Sequence, residues 1–449
     1  MNVPALPRGF ANPWWAIPAG LTAGTLFLWV PDRVVLLPFL VLLFLWPSRD
    51  ARVTATVLLA GILVLASTHI SWIRTALQDM RWAGYALFLL VGWRFLRARR
   101  LSGNPLPRGW FVVFGVLVLA AIASIPSSID PFLSVRRFVA FLLMSVSVLF
   151  IVYRSIDRVG EVERLAVALL GLCFLIVGVS LAFDAFDGRE RVSRLGFRLM
   201  GILGNPITLG DLIALMLPLA VWWFLWRSPR KGGILVAVFL IALFETEARS
   251  SIVAAVAGCG YVLAAGVRMA IESPKTRRRL FGVVAFAVAA ALVLFSYAVR
   301  PETFWELGGR LEHWTVAGRL IAERPWLGYG FGTEDRVFDW AHVRLKRGQG
   351  SLAHNTFLGL ALQVGSVAAS VFAVAWGIFA GISLKRSWRG PSSSIGVGLT
   401  GCLISGSVTM IFETWAFSAG SPFAFLFWCL MVMLLRQMEI QRKCGEKAC

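Results

Sequence analysis

Apolar runs long enough to cross a bilayer recur from Trp14 almost to the end of the chain, and no other feature constrains the fold as strongly. A helix needs roughly 20 consecutive apolar residues to span a hydrocarbon core of about 30 Å, and here only short polar stretches separate such runs. With 58% hydrophobic and 15% charged residues among 449, too little polar surface remains for a soluble domain of this size. The sequence therefore predicts an all-α polytopic membrane protein. A formal net charge of +20 would suit a nucleic-acid binder, but the 44 Lys and Arg residues lie between apolar runs rather than on one folded face. Membrane lipids are the expected partners, and nucleic acid is not.

Candidate spans fall near 14–30, 33–46, 53–72, 82–95, 109–126, 136–153, 163–183, 206–226, 232–246, 249–268, 280–299, 354–383, 395–412 and 422–436. Several are short enough to be half-helices, so about 12 true crossings are expected, within a range of roughly 12–14. The first run is followed at once by Pro31-Asp32-Arg33 and another apolar run, which reads as a retained helix or hairpin rather than a signal peptide. Placing the N-terminus in the cytoplasm puts 26 of the 44 basic residues in inner loops. Eight of the remainder belong to the long segment from Arg300 to Leu352, to which the short-loop rule does not apply. The expected topology is N-in and C-in. Residues 1–299 carry transmembrane helices with a small Arg-rich outer loop near 184–203. Residues 300–353 form a periplasmic loop domain, 354–436 the C-terminal helices, and 437–449 a cytoplasmic tail. Cys173, Cys259, Cys402 and Cys429 sit in apolar segments, so no disulfide framework is implied.

Basic residues are disfavoured in short outer loops, so those found there need a reason. Arg189, Arg191, Arg194 and Arg198 precede Gly204-Asn205-Pro206, where a helix should begin. Their spacing could gather several guanidinium groups around one anion, because the Arg fork matches phosphate oxygens with paired hydrogen bonds; pairing with Asp184, Asp187 or Glu190 is the alternative. Arg249 lies in the polar turn Glu245-Thr246-Glu247-Ala248-Arg249-Ser250-Ser251, where it faces either a ligand phosphate or one of the two glutamates. In the long loop, Leu311, Trp314, Ala317 and Ile321 recur at helical spacing and predict an amphipathic helix over 310–323. Arg319 falls on its polar side, within reach of Glu323. Arg310 falls on the apolar side, as a stem covering apolar surface or as an inward-facing charge.

Four histidines are present. His69 ends an apolar run and reads as structural. His354 precedes Asn355-Thr356-Phe357-Leu358 and a long apolar run, which places it in the first turn of an outer helix start with Ser351 or Asn355 as a cap. The positive end of that helix disfavours an imidazolium, leaving a neutral ring that can accept a proton. No His-x-x-x-His, Cys-x-x-Cys or Asp-x-Asp spacing suggests a metal, and neither metal nor cofactor is expected. Glu334-Asp335 and Asp184 with Asp187 read as solvated acids. Gly328-Tyr329-Gly330-Phe331-Gly332 lacks the Gly-Lys-Ser/Thr ending of a phosphate loop and reads as a flexible turn.

Taken together, Arg310-x-x-x-Trp314, Pro325-Trp326-Leu327-Gly328-Tyr329-Gly330 and His354-Asn355-Thr356-Phe357-Leu358 with Gly365 resemble the bacterial O-antigen ligase and polymerase superfamily, and within it the O-antigen ligases. Gly204-Asn205-Pro206 and the turn ending in Arg249-Ser250 are similar to the family's Asn-Pro and Ser-Arg-Gly elements, although Ala248 and Ser250 depart from the latter. The resemblance implies a glycosyltransferase of the bacterial inner membrane with its active site facing the periplasm. It would transfer O-antigen glycan from undecaprenyl diphosphate to lipid A-core oligosaccharide without a metal and with inversion. His354 would be the catalytic base, with Arg191, Arg194, Arg249, Arg310 and Arg319 as candidate diphosphate ligands. O-antigen polymerases, protein O-oligosaccharyltransferases and a transporter or flippase of polyprenyl-linked glycans remain as alternatives.

Overall fold

A computed structural model describes residues 51–70, 73–75, 84–86, 88–90, 92–93, 108–186, 192–193, 196–270, 307–343, 352–391, 394–418 and 420–447. The spans expected at 14–30, 33–46 and 280–299, part of 82–95, and Arg189, Arg191 and Arg194 lie outside these residues.

The described chain is helical apart from one two-stranded ladder, in which β1 (Val192–Ser193) pairs antiparallel with β2 (Gly196–Phe197). The helices are α1 (Ala51–Ala66), α2 (Arg108–Ser124), α3 (Pro131–Val146), α4 (Val159–Phe186), α5 (Pro206–Trp226), α6 (Pro229–Thr246), α7 (Arg249–Ala270), α8 (Arg310–Glu323), α9 (Glu334–Trp340), α10 (Thr356–Val364), α11 (Ser366–Arg389), α12 (Ile395–Phe412) and α13 (Pro422–Lys447). A π-helical segment, Ser147–Val152, carries α3 on to Ser155. Seven of these helices are long and apolar enough to cross a membrane, and Val53–Ala66 and Val112–Ser124 are shorter apolar helices. The chain is a polytopic membrane protein.

At the centre lie α5, α7 and α12, which pack on one another. Their backbones approach closely because small residues line the contact: a Cβ on Gly258 would stand 2.5 Å from the carbonyl oxygen of Gly401, and Ser405 Oγ donates to Ala254 O at 2.8 Å. Within α5 the run from Leu209 to Trp222 is buried throughout, as befits a helix surrounded by others. Side chains pointing to the outside of the bundle, such as Val112, Leu119, Val139 and Val374, are apolar and exposed.

The apolar run expected over 354–383 is two helices, not one. Gly365 adopts φ 87° and ψ 165°, and a Cβ there would stand 2.0 Å from Trp326 O. The chain therefore turns between α10 and α11, and the Ser366 N–H donates to Pro325 O instead of continuing the helical ladder. The helix α13 runs on through the expected tail as far as Lys447.

Alternating helix direction sorts the polar groups to two ends. One end gathers the starts of α3, α5, α7, α10 and α13 with the C-terminal ends of α1, α4, α6 and α12. At the opposite end, Arg227 pairs with Glu163, Arg268 donates to Gly390 O, and Arg436 donates to Ile156 O.

Candidate active site

The site is built where α8, α10 and α12 meet at the first of these ends. Asn355 caps α10 as expected, its Oδ1 accepting from the N–H groups of Phe357 and Leu358 at 3.0 Å. His354 therefore lies one residue before the cap rather than inside the first turn. It adopts φ 49°, a left-handed conformation that costs a non-glycine residue energy and persists only where surroundings hold it. Two contacts hold it: Trp314 Nε1 donates to the His354 carbonyl oxygen at 3.3 Å, and the His313 ring stands edge-on to the His354 ring at 5.2 Å.

The decisive contact is with Glu413, directly after α12. His354 Nδ1 is 3.0 Å from Glu413 Oε2, and Arg310 Nη2 is 2.5 Å from Glu413 Oε1. Burial alone would raise the Glu413 carboxyl, but the His354 hydrogen bond and the Arg310 charge outweigh it and hold the group below the usual carboxylate range. An ionised carboxylate only accepts, so Nδ1 carries a proton, and in the neutral tautomer this selects, the lone pair is on Nε2. The His354 side chain is 23% exposed, so the ring is not sealed inside the bundle. Histidine, carboxylate and guanidinium thus form a chain in which Glu413 orients the imidazole.

Arg310 is the inward charge its position on the helix suggested. Nε donates to Phe412 O at 2.9 Å, Nη1 to Leu307 O at 3.3 Å, and the guanidinium lies over the Phe412 ring. Three of its five N–H groups are engaged in this way, which leaves two. The buried stripe of α8 is His313, Ala317 and Leu320, whereas Leu311 is 46% exposed, so the apolar face is rotated from the one expected. Arg319 is exposed, and the Glu323 carboxylate that was its expected partner accepts instead from Tyr329 OH at 3.1 Å. Arg319 is not brought to His354.

Arg249 is half-buried at the start of α7. Two residues on, Ser251 Oγ donates to Asp211 Oδ1 at 2.6 Å. The first turns of α7 pack on the last turns of α12, where Ser405 Oγ donates to Ala254 O, so the start of α7 lies at the same end as Glu413. Of the four clustered arginines, only Arg198 is described. It is buried, with Nε donating to Thr246 O at 2.8 Å and lying 3.8 Å from Glu247 Oε2, so it fastens the loop before α5 to the end of α6. His69 is structural as expected, with Nδ1 donating to Ile202 O at 3.2 Å and its ring edge-on to Phe183.

Several polar groups are placed differently from the sequence reading. Glu334 is buried, not solvated: it accepts from Ala353 N–H at 2.9 Å and lies 3.3 Å from Gln363 Nε2, and burial pushes its carboxyl up to about 7. Asp335 receives two hydrogen bonds from Arg137, at 2.6 and 2.7 Å. Asp184 accepts from the N–H groups of Met200 and Gly201. The glycine-rich turn is pinned rather than flexible, with Tyr329 N–H donating to Leu362 O, Gly330 N–H to Gln363 O, and Ile129 N–H to Tyr329 O.

Beside the cluster lies a cleft of about 710 Å³, walled by α3, the 331–335 turn, the starts of α5 and α10, and the 414–422 segment. Thr356 lines it and also donates to the backbone oxygen of Glu413 at 2.8 Å, which makes that residue a shared wall.

Fold and site define a polytopic membrane protein in which a histidine, a carboxylate and an arginine meet at one end of the helix bundle. Residues 233–373, less than half of the chain, match the family model described as O-antigen ligase, which supports the O-antigen ligase superfamily. The matched segment holds Arg249, Arg310, Arg319 and His354 but ends before Glu413. No curated protein matches the chain.

Proposed function

We propose that the chain is an O-antigen ligase that moves a glycan from undecaprenyl diphosphate onto lipid A-core oligosaccharide at the periplasmic face of the inner membrane. The observation that carries this reading is the oriented histidine: Glu413 fixes the Nδ1 proton of His354, so Nε2 is available as a general base. Nε2 takes the proton of the acceptor hydroxyl, and the oxygen forms a bond to the anomeric carbon as the carbon–oxygen bond to the diphosphate breaks. One direct displacement inverts that carbon. The departing diphosphate carries the electron pair, and arginines compensate its charge. Arg249, at the same end of the bundle, and the two remaining N–H groups of Arg310 suit that role. Arg191 and Arg194 are further candidates from the sequence. Arg319 is exposed, and a part for it requires the glycan to extend along α8.

The assay is direct. Purified chain, undecaprenyl-diphosphate glycan and lipid A-core are combined, and the products are resolved on a gel; failure to convert lipid A-core to a slower glycan-bearing form refutes the ligase reading. The same reaction should run undiminished in EDTA, because guanidinium groups supply the charge compensation that a divalent ion would otherwise give. Among the described residues no group of three His, Cys, Asp or Glu side chains gathers as a metal site. Activity lost in EDTA and restored by magnesium or manganese would contradict this.

Orientation has its own test. Arg154, Arg227, Arg230, Lys231, Arg268, Lys385, Arg386, Arg389 and Arg436 concentrate at the end opposite His354, which the positive-inside tendency assigns to the cytoplasm. Reporter fusions at Gly103 and Pro274 should report cytoplasm, and those at Asp187 and Asp335 the outer side. A cytoplasmic signal at Asp335 would put the base on the wrong face.

A further inference from the structure

We propose that the cleft beside the His354 cluster is a pyranose-binding subsite, in which Glu334, Gln363 and Arg136 hold sugar hydroxyls or an acidic substituent while Phe331 and Phe417 face the ring. This rests on the glycosyl-transfer reading above and adds to it the place where a sugar is held.

A sugar ring is amphipathic: its edge is a row of hydroxyls that both donate and accept, and its faces carry C–H bonds. The cleft offers both kinds of surface. Glu334 and Gln363 present a carboxyl and an amide on one wall, and they are cross-tied, because Gln363 Oε1 accepts the Gly332 N–H at 2.8 Å while its Nε2 faces Glu334. That tie fixes their direction before a ligand arrives, which lowers the cost of ordering them on binding. Phe331 and Phe417 supply aromatic surface and are themselves wedged by Phe141, at 5.3 and 6.1 Å between ring centroids. The volume of about 710 Å³ lies within the roughly 300–1,000 Å³ of small-molecule sites.

Charge argues against the other ligands this end of the molecule could take. A diphosphate would meet the carboxyls of Glu334 and Asp335, and Arg137 is already occupied by Asp335 and by the Gly332 carbonyl oxygen. An isoprenoid tail would strand the polar wall. Arg136 is different from its neighbour: it lines the cleft, is exposed, and makes no ion pair among the described residues. It would suit a carboxylate or phosphate carried on a sugar. Thr356 joins the cleft to Glu413, so a ring held here lies against the element that orients the base.

Two sugars could occupy the subsite, the first residues of the donor glycan or those of the acceptor core, and the experiment separates them. The probes are the glycan released from undecaprenyl diphosphate by mild acid and the delipidated core oligosaccharide, each titrated into detergent-solubilised full-length chain by saturation-transfer NMR or calorimetry. Glu334→Gln, Arg136→Ala and Phe417→Leu should each weaken binding of one probe by about 5–10-fold, the affected probe naming the sugar. In turnover they should raise KM for the matching substrate more than they lower kcat. Arg136 is exposed and its replacement should leave folding intact, so Arg136→Ala decides the matter if Glu334→Gln elutes as aggregate. If Arg136→Ala and whichever other variants fold bind both probes as the wild type does, the proposal is wrong. Because binding needs no turnover, His354→Ala separates the two readings: it should bind the affected probe normally. Loss of transfer in His354→Ala with no effect of the cleft variants would defeat the subsite alone, whereas retained transfer in His354→Ala with weakened binding in the cleft variants would defeat the catalytic assignment alone.

Discussion

Replacing His354 with alanine should leave a folded, donor-binding protein that transfers glycan about 10²–10⁴-fold more slowly, the usual cost of losing a general base. The expectation rests on Nε2 being the ring nitrogen left for substrate while Nδ1–H is hydrogen-bonded to Glu413. Position 354 has φ 49°, so part of any loss could come from backbone strain in the variant. His354→Asn removes that ambiguity, because asparagine tolerates left-handed backbone and cannot act as a base near neutral pH. Both variants should be equally inactive and should retain affinity for the donor, since the arginines bind the diphosphate in ground and transition states alike. Near wild-type transfer by His354→Asn at normal expression would make the histidine structural.

Membrane character and most helix positions were legible in the sequence because they follow from the length and polarity of contiguous runs. The spans expected at 206–226 and 395–412 match α5 and α12 to the residue, α5 opening on Asn205-Pro206 and α12 closing at Glu413. His354 and Arg310 were singled out by local signals, a helix start and a charge on the wrong side of an amphipathic stripe. Glu413 was not, although an acid directly after the apolar run 395–412 was a visible anomaly. Its meaning depends on α8, α10 and α12 meeting in space, and no periodicity within one segment reports that meeting. The same holds for Glu334, whose neighbours Ala353 and Gln363 are distant in sequence, so its burial could not be read from the dipeptide Glu334-Asp335. The break at Gly365 was hidden for a different reason. Glycine is tolerated within apolar spans, and only the approach of the Trp326 backbone decides that this one turns the chain.

Glu413 gives the most informative single replacement, because two functional side chains hang from one carboxylate. Glu413→Gln keeps the shape but removes the charge, so the amide can accept from either His354 or Arg310 with ordinary strength and no longer draws both. Transfer should fall by about 10²–10⁴-fold, because an amide no longer holds the histidine in the tautomer that frees Nε2. Glu413→Ala should cost more and in a second currency. It strands the Arg310 guanidinium, whose side chain is 17% exposed, and loss of one partner from a buried pair destabilises by about 3–5 kcal/mol. A lowered Tm in Glu413→Ala but not in Glu413→Gln would separate the structural share from the catalytic one. The combination decides the assignment. If Glu413 acts through His354, then Glu413→Gln added to His354→Asn should cost little beyond His354→Asn alone, since residues that work as a unit are non-additive. Full additivity of the two losses would mean that Glu413 serves Arg310 and the diphosphate rather than the base, and the His354–Glu413 contact at 3.0 Å would then be a matter of packing only.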